Sequence, residues 1–453
     1  MNATSQDQQL RTALLSGAKT PKALRQTLQI SQPTLSRAIN RNRATISSLG
    51  AGRSTLYAIA LPLGAIGSEL PVYQVDDEGS VRKVGTLHIL INGEYYWNGS
   101  IGHSGLLRHL PWFIENLRPE GFLGRAFAQH CNHIMLPPRL SDWSNDHLLQ
   151  ALAQTGSDLS GNLIVGKGAM NQFLVGEKGE GDIPHATQRE TLYPILAERA
   201  LAGDPPGSSA GGEQPKFCIQ LRTPDITNVL VKFSPPTDSM EGQRWADLIL
   251  CEYLALQTMN EAGHSVATAR YFMFGCRSFL EVERFDRIEL FGRRGICSLG
   301  ILDSEFIGSE LDCWHRAARL LHDDKKINTK DMQSIFWQEA FGLLIANSDQ
   351  HFGNISFFTN SLLRFDRCPA YDMLPMFYRP APSGEIVERH YQAPTPPPEL
   401  MPYWDDAKRW AQVFWQKVVN HREISDAFKA IATFHVEQGA EDTKGKRRPQ
   451  LIS

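Results

Sequence analysis

At 453 residues and 42% hydrophobic side chains, the chain has length for about three domains at roughly 150 residues each, and apolar content for packed cores, which excludes a disordered chain. Forty-six Lys and Arg against 49 Asp and Glu give a formal charge of −3, so the chain as a whole is not a polycation that grips nucleic acid or anionic membrane. Seven scattered cysteines without a C-x-x-C pair argue against a zinc module or a disulfide framework and fit a reducing cytoplasm; the N-terminus has no basic region followed by an apolar core, and the longest apolar stretch, Leu56 to Ile66, is too short to span a bilayer, so a soluble protein with no membrane partner is expected.

Charge is concentrated at the start. Residues 1–60 carry Arg11, Lys19, Lys22, Arg25, Arg37, Arg41, Arg43 and Arg53 against the single acid Asp7, a net +7 that leaves −10 for the remainder. Such an asymmetry suits a phosphate-binding module, because each cation placed at a phosphate releases condensed counterions. Leu10, Leu14 and Leu15 recur at helical spacing, and Thr20-Pro21 has the form of an N-cap and first-turn proline for a helix through Leu24 and Leu28. Ser31-Gln32-Pro33 opens a further helix in which Leu35 and Ile39 share a face while Gln32, Thr34, Ser36, Arg37 and Asn40 face outward. TISSLGAGRSTLYAIA then reads as strand, Gly-containing turn bearing Arg53, and strand. Residues 1–62 are therefore expected to form a winged helix-turn-helix that meets DNA through Gln32, Thr34, Ser36, Arg37, Asn40, Arg41, Arg43 and Arg53. The plainer alternative is a three-helix packing domain with a solvated basic face.

Apolar and polar residues alternate in ELPVYQVD, VRKVGTLHILI and EYYWNGS, with turn signals DDEG and NGE between them, so residues 68–150 are expected to hold a small antiparallel β subdomain. Arg118, Arg125 and Arg139 that follow are either ligand clamps or salt-bridge partners, and helical stretches are expected around Trp143–Thr155 and Arg189–Ala202.

The segment GDPPGSSAGGEQPKF, Gly203 to Phe217, is rich in small residues ahead of the alternating run FCIQL; its N–H groups suit an anion nest, although such a loop alone is equally a turn. NVLVKFS puts Lys232 within an apolar strand, where a cation needs a partner, and the following helix from Arg244 to Gly263 carries Glu252. A strand lysine, a helix glutamate and a Gly-rich loop upstream compose the upper lobe of a kinase-like nucleotide site. ANSDQHFGNISFF then spaces Asp349 and Asn354 five residues apart, the Asp-to-Asn spacing of a kinase catalytic loop, and LLRFDRCPAYDMLP presents Asp372 at the end of a second short strand, where a metal carboxylate belongs. Asp and Asn offer hard oxygen ligands that suit magnesium, with the remaining positions left to water and ATP phosphates.

The order S-x-G-G-x-x-P-K, VKF, VERFDR, NSDQHFGN and YDMLP resembles the HipA family of bacterial serine/threonine kinase toxins, from about Glu69 to the C-terminal helices. The resemblance implies an α+β fold whose two-lobed protein-kinase-like domain has a largely helical C-terminal lobe, with the N-lobe over 151–285, the C-lobe over 286–440 and a tail from 441 to 453. It implies that Ser209, Gly211, Gly212 and Lys216 belong to the loop covering ATP, with Ser209, or its neighbour Ser208, the autophosphorylated serine. By the same resemblance Lys232 contacts ATP phosphates, Glu283 and Phe285 form the hinge whose backbone reads adenine, Asp349 is the catalytic base, His351 organises its loop, and Asn354 and Asp372 hold Mg2+. RPEGFLGR resembles the family's R-P-Q-G-F-L-G-R, with Glu120 in place of Gln. Family toxins phosphorylate aminoacyl-tRNA synthetases, which makes a translation component the expected protein substrate, and they bind a separate helix-turn-helix antitoxin. Here a DNA-binding-like module lies in the same chain, so a separate partner is not required by the pattern. Two other readings fit part of the sequence: a magnesium-dependent DNA nuclease, and a transcription regulator whose kinase fold only senses nucleotide.

Overall fold

Two proline-opened helices set the geometry of the N-terminal module in the computed structural model, which describes residues 3–178, 183–203, 214–309, 313–359 and 364–445. Thr20 caps the helix Pro21–Leu28 by accepting from the Ala23 N–H at 3.2 Å, and Ser31 caps Gln32–Arg41 by accepting from Thr34 at 3.4 Å. With Ala3–Leu14 they bury Leu10, Leu14, Leu24, Leu35, Ala38 and Ile39, and Ile46 joins that core from an antiparallel hairpin of Ile46–Leu49 on Leu56–Ile59. This is the winged helix-turn-helix arrangement. Leu15 differs from its expected place on the apolar face: the helix ends at Leu14, and Leu15 is exposed with its carbonyl bonded to the Asn92 amide.

The chain divides by contacts into two compact units, residues 1–118 with 130–180, and residues 119–129 with 181–453. In the first unit, five antiparallel strands follow the order Gly105–Leu107, Tyr95–Gly99, Val81–Ile89, Glu69–Val75, Leu163–Val165. Gly85 and Gly99 are register partners, and the buried Trp97 ring lies over both, so that a Cβ on either would stand 2.2–2.4 Å from it. Because Leu163–Val165 pairs with Glu69–Val75, the segment through the helices Asn145–Thr155 and Lys167–Lys178 lies with this unit, and the division falls some thirty residues beyond position 151.

The second unit is built on a four-stranded antiparallel sheet ordered Ala269–Phe274, Arg277–Glu283, Asp225–Phe233, Lys216–Thr223. Strand alternation separates its faces. Val229, Val231, Phe233 and Phe279 pack with Tyr193 and Ala197 of the helix Arg189–Leu201, whereas Leu280 and Val282 pack with Ile249 of the 22-residue helix Met240–Glu261. Lys232 is register partner to Leu280 and so shares the face of the long helix, and Lys216, opposite Lys232 on the next strand, shares it too. The rest of the unit is largely helical, with Leu299–Phe306, Trp314–Asp323, Thr329–Leu344, Met401–Asn420 and Asp426–Gly445 around a small sheet of Ile296–Ser298, Ser356–Phe358 and Asp366–Arg367. The α+β class expected from the sequence is the class observed. Among the described residues no helix is long and apolar enough to cross a membrane.

Candidate active site

Lys232 is next to last in its strand with a side chain only 7% exposed, so its ammonium must find its partners inside the protein. Glu252, fully buried on the long helix, receives it at 2.7 and 2.8 Å, and Asp372 receives it at 2.6 Å. The Glu252 carboxylate also accepts the Asp372 N–H at 3.2 Å, which holds Asp372 in a left-handed backbone conformation, φ +58°. Burial works against charge on every member. For Lys232 the two carboxylates overcome it and raise the pKa; for Asp372 the Lys232 and Lys216 ammoniums overcome it and lower the pKa; for Glu252 burial prevails and the carboxyl is raised. Burial and the Lys232 charge together bring Lys216 down to about 8.

The loop after helix Thr329–Leu344 turns sharply at Ala346, φ +63°, and is then fixed through its main chain. Buried Asn347 accepts the Asp349 N–H at 3.1 Å, the Asp349 carbonyl accepts the Asn354 amide at 2.8 Å, and Trp314 donates to the His351 carbonyl at 3.0 Å. His351 Nδ1 accepts the Gly353 N–H at 3.1 Å, a positioning contact rather than a proton-transfer one. These bonds leave the Asp349 carboxylate without a side-chain partner among the described residues. Since the Asn354 amide nitrogen is turned to Asp349, its oxygen is the end left for a cation.

Tyr371 joins this loop to Asp372: its hydroxyl donates to the Gly353 carbonyl at 2.8 Å and lies 2.6 Å from Ser356 Oγ. Phe285 stands against Tyr371 and Phe358 with ring centres 5.8 and 6.0 Å apart. The Glu283 N–H donates to the Thr268 carbonyl at 2.8 Å, whereas the Phe285 N–H has no acceptor among the described residues. Lys216, Lys232 and Asp372 therefore lie together within one unit, Tyr371 ties them to the loop of Asp349, His351 and Asn354 and to Phe285, and Glu283 stands two residues ahead of Phe285 at the end of its strand. Ser209, its neighbour Ser208, Gly211 and Gly212 lie outside the described residues.

Asp372 was expected at a strand end; the strand covers only Asp366–Arg367, and Asp372 lies five residues past it, placed by Glu252 instead. Tyr371, Trp314 and Asn347 carry structure at this site without having been singled out from sequence. Asn347 sits inside the NSDQHFGN run and was legible there, but Trp314 is 37 residues from the carbonyl it holds and had no local signal. Among the described residues no cluster of three or more His, Cys, Asp or Glu side chains could hold a metal ion. The donor set here is one carboxylate and one amide oxygen, which fits magnesium delivered with phosphate oxygens rather than a metal caged by protein.

In the N-terminal module Gln32, Arg37, Asn40, Arg41, Arg43 and Arg53 are exposed, and Thr34 and Ser36 are half-buried. Arg41 is not free: Asp7 holds its guanidinium with two bonds of 2.7 and 3.1 Å. The other basic residues of the set make no ion pair among the described residues.

A strand lysine paired to a helix glutamate, with an Asp/Asn loop beneath, defines a kinase-type centre, and the comparisons give its family. The chain belongs to the HipA family of toxins: the model of the HipA-like C-terminal domain matches residues 208–435, and that of the YjjJ-like toxin middle domain matches residues 66–174. Toxin YjjJ of Escherichia coli strain K12 is 36% identical to it over 430 residues, 94% of this chain and 95% of that protein. Among solved structures, a chain of the Shewanella oneidensis MR-1 toxin–antitoxin complex of HipA, HipB and its operator DNA aligns over 82% of this chain and 96% of its own, at 16% identity and a TM-score of 0.49. The Helicobacter pylori proinflammatory kinase CtkA aligns over 50% of this chain and 90% of its own, at 14% identity and a TM-score of 0.34.

Proposed function

We propose that this HipA-family toxin is an ATP- and magnesium-dependent protein serine/threonine kinase that carries its own DNA-binding module. The observation that supports the reading most is the Lys232–Glu252–Asp372 ion cluster beside a loop whose one unpartnered carboxylate is Asp349. In this reading Lys232 and Lys216 face the phosphates, the Glu283 carbonyl and Phe285 N–H meet the adenine edge, and Asp349 accepts the proton of the substrate hydroxyl. Asn354 and Asp372 would hold magnesium, which when bound neutralises phosphate charge. Ser209, or its neighbour Ser208, is the autophosphorylated residue, and a phosphate of about −2 charge there would repel the triphosphate. The protein substrate is a translation component such as an aminoacyl-tRNA synthetase, the compartment is the cytoplasm, and the basic helix Gln32–Arg41 meets DNA.

Transfer of label from gamma-labelled ATP into a cytoplasmic lysate tests the kinase. Asp349→Ala is expected to lower transfer by about 10²–10⁴-fold while ATP affinity stays within about tenfold. Undiminished transfer by the variant refutes the assignment. ATP-independent cleavage of plasmid DNA in magnesium, with no labelled protein, would favour a nuclease instead. Phosphate on Ser209 in the wild type and not in Asp349→Ala is the mark of self-modification.

A further inference from the structure

Glu252 can meet Lys232 only if the helix that carries it stays in place, and two residues of that helix, Arg244 and Asp247, tie it to the segment around Tyr378 and to the start of the C-terminal helix of the same unit. Arg244, in its second turn, donates to the Tyr378 carbonyl at 2.9 Å and stands over the Phe428 ring at 5.3 Å. Asp247, 1% exposed, accepts the Ser425 N–H at 2.9 Å and the Ser425 hydroxyl at 2.6 Å. Ser425 in turn caps the helix Asp426–Gly445, its Oγ accepting from the Phe428 N–H at 3.2 Å. Asp247 thus places a carboxylate at a helix N-terminus, where the backbone dipole favours it, from a position 178 residues away. Glu252 lies five residues on, about 140° around the helix, and so faces the sheet while Asp247 faces the C-terminal pair.

We infer that Asp247 is a positioning residue for the nucleotide site, locking the long helix to Ser425 so that the Lys232–Glu252 pair stands assembled before any nucleotide arrives. The inference rests on the kinase reading for its consequence but not for its geometry. Its corollary is that this enzyme is not switched by swinging the helix away, as happens where a glutamate-bearing helix is held only by its own lobe.

The test uses the full-length protein and two measurements, hydrogen exchange of the amides of residues 240–261 without nucleotide, and affinity for a fluorescent ATP analogue with magnesium. Asp247→Ala is expected to speed exchange in that helix and to weaken the analogue by about 10- to 100-fold, the range of a lost hydrogen bond to a charged group. Asp247→Asn, which keeps a carbonyl acceptor for the Ser425 N–H, restores most of the affinity, and Ser425→Ala falls between them. Exchange unchanged in Asp247→Ala and Ser425→Ala overturns the lock; faster exchange with unchanged affinity overturns its positioning role; equal loss in Asp247→Asn and Asp247→Ala shows a merely structural carboxylate and overturns it as well. Failure of the kinase reading shows separately, as a wild type that binds the analogue and never labels protein.

Discussion

At the scale of single residues the site is a problem in buried charge. Lys232 faces two carboxylates, with Lys216 in register beside it, and the four groups balance when all are ionised. Removing the shared cation and removing one of its two partners are therefore unequal acts. Lys232→Met leaves the buried Glu252 and the half-buried Asp372 without the cation they share, and breaking a buried pair by removing one partner costs about 3–5 kcal/mol. Glu252→Gln leaves Lys232 with Asp372, and removes a carboxylate whose ionisation burial already opposes. Urea denaturation of both variants is expected to show Lys232→Met as the more destabilised, with Glu252→Gln losing no more than about 1.5–3 kcal/mol, the range of a hydrogen bond to a charged group. The reverse order would mean that Glu252, not Lys232, holds the cluster together. Of this cluster Lys232 and Glu252 were legible in the sequence, because a cation in an apolar strand demands a partner and the next helix offers one. The place of Asp372 was not legible in full, since it depends on a backbone N–H reaching a glutamate 120 residues upstream.

At the scale of elements, local rules carried the N-terminal module. Thr20-Pro21 and Ser31-Gln32-Pro33 are helix starts that depend only on neighbouring residues, and the structure uses both. Pairings over long distances are what the sequence does not display: Leu163–Val165 is three residues long and finds its partner near residue 73, and Asp247 caps a helix that begins at Asp426. The C-terminal helix carries a further such pairing with a consequence for pH. His435 is buried, stacked on Trp415 at 4.1 Å and 7°, with its Nε2 2.7 Å from the Tyr378 hydroxyl. Burial pushes its pKa down to about 4, whereas the unfolded chain takes up that proton near 6.5. Between those values the unfolded state binds more protons, so stability rises with pH through the window and falls as pH drops from 6.5 to 4, by at most about 3 kcal/mol. His264, stacked on Trp337 at 3.8 Å, is also pushed to about 4 by burial, with the Arg367 charge second, and titrates in the same window. Denaturation at pH 7 and pH 4.5 is expected to show a smaller loss in His435→Phe than in the wild type, with the His264 share remaining. An equal loss in both proteins would mean that His435 takes up its proton without leaving its place.

At the scale of the whole molecule the governing feature is the separation of charge along the chain, +7 over residues 1–60 and −10 beyond. Its sole acid in that first stretch is not scattered background. Asp7 lies on the first helix and holds Arg41, the last residue of the helix Gln32–Arg41, with both partners at the surface. An exposed pair of this kind adds little stability, yet it removes one cation from the set proposed to face phosphate. Phosphate contacts are counted by salt dependence: each one changes the slope of log K against log salt by about −0.9 on B-form DNA. Titrating the full-length protein onto a mixed-sequence duplex over a range of salt is therefore expected to give a slope steeper by about 0.9 for Asp7→Asn than for the wild type, and Arg41→Ala in the same background is expected to return it. A slope unchanged by Asp7→Asn would show that Arg41 remains folded against its helix and that Asp7 serves packing alone. A slope near zero for every variant would remove DNA from the partners of this module, and leave the basic face of the helix Gln32–Arg41 to solvent.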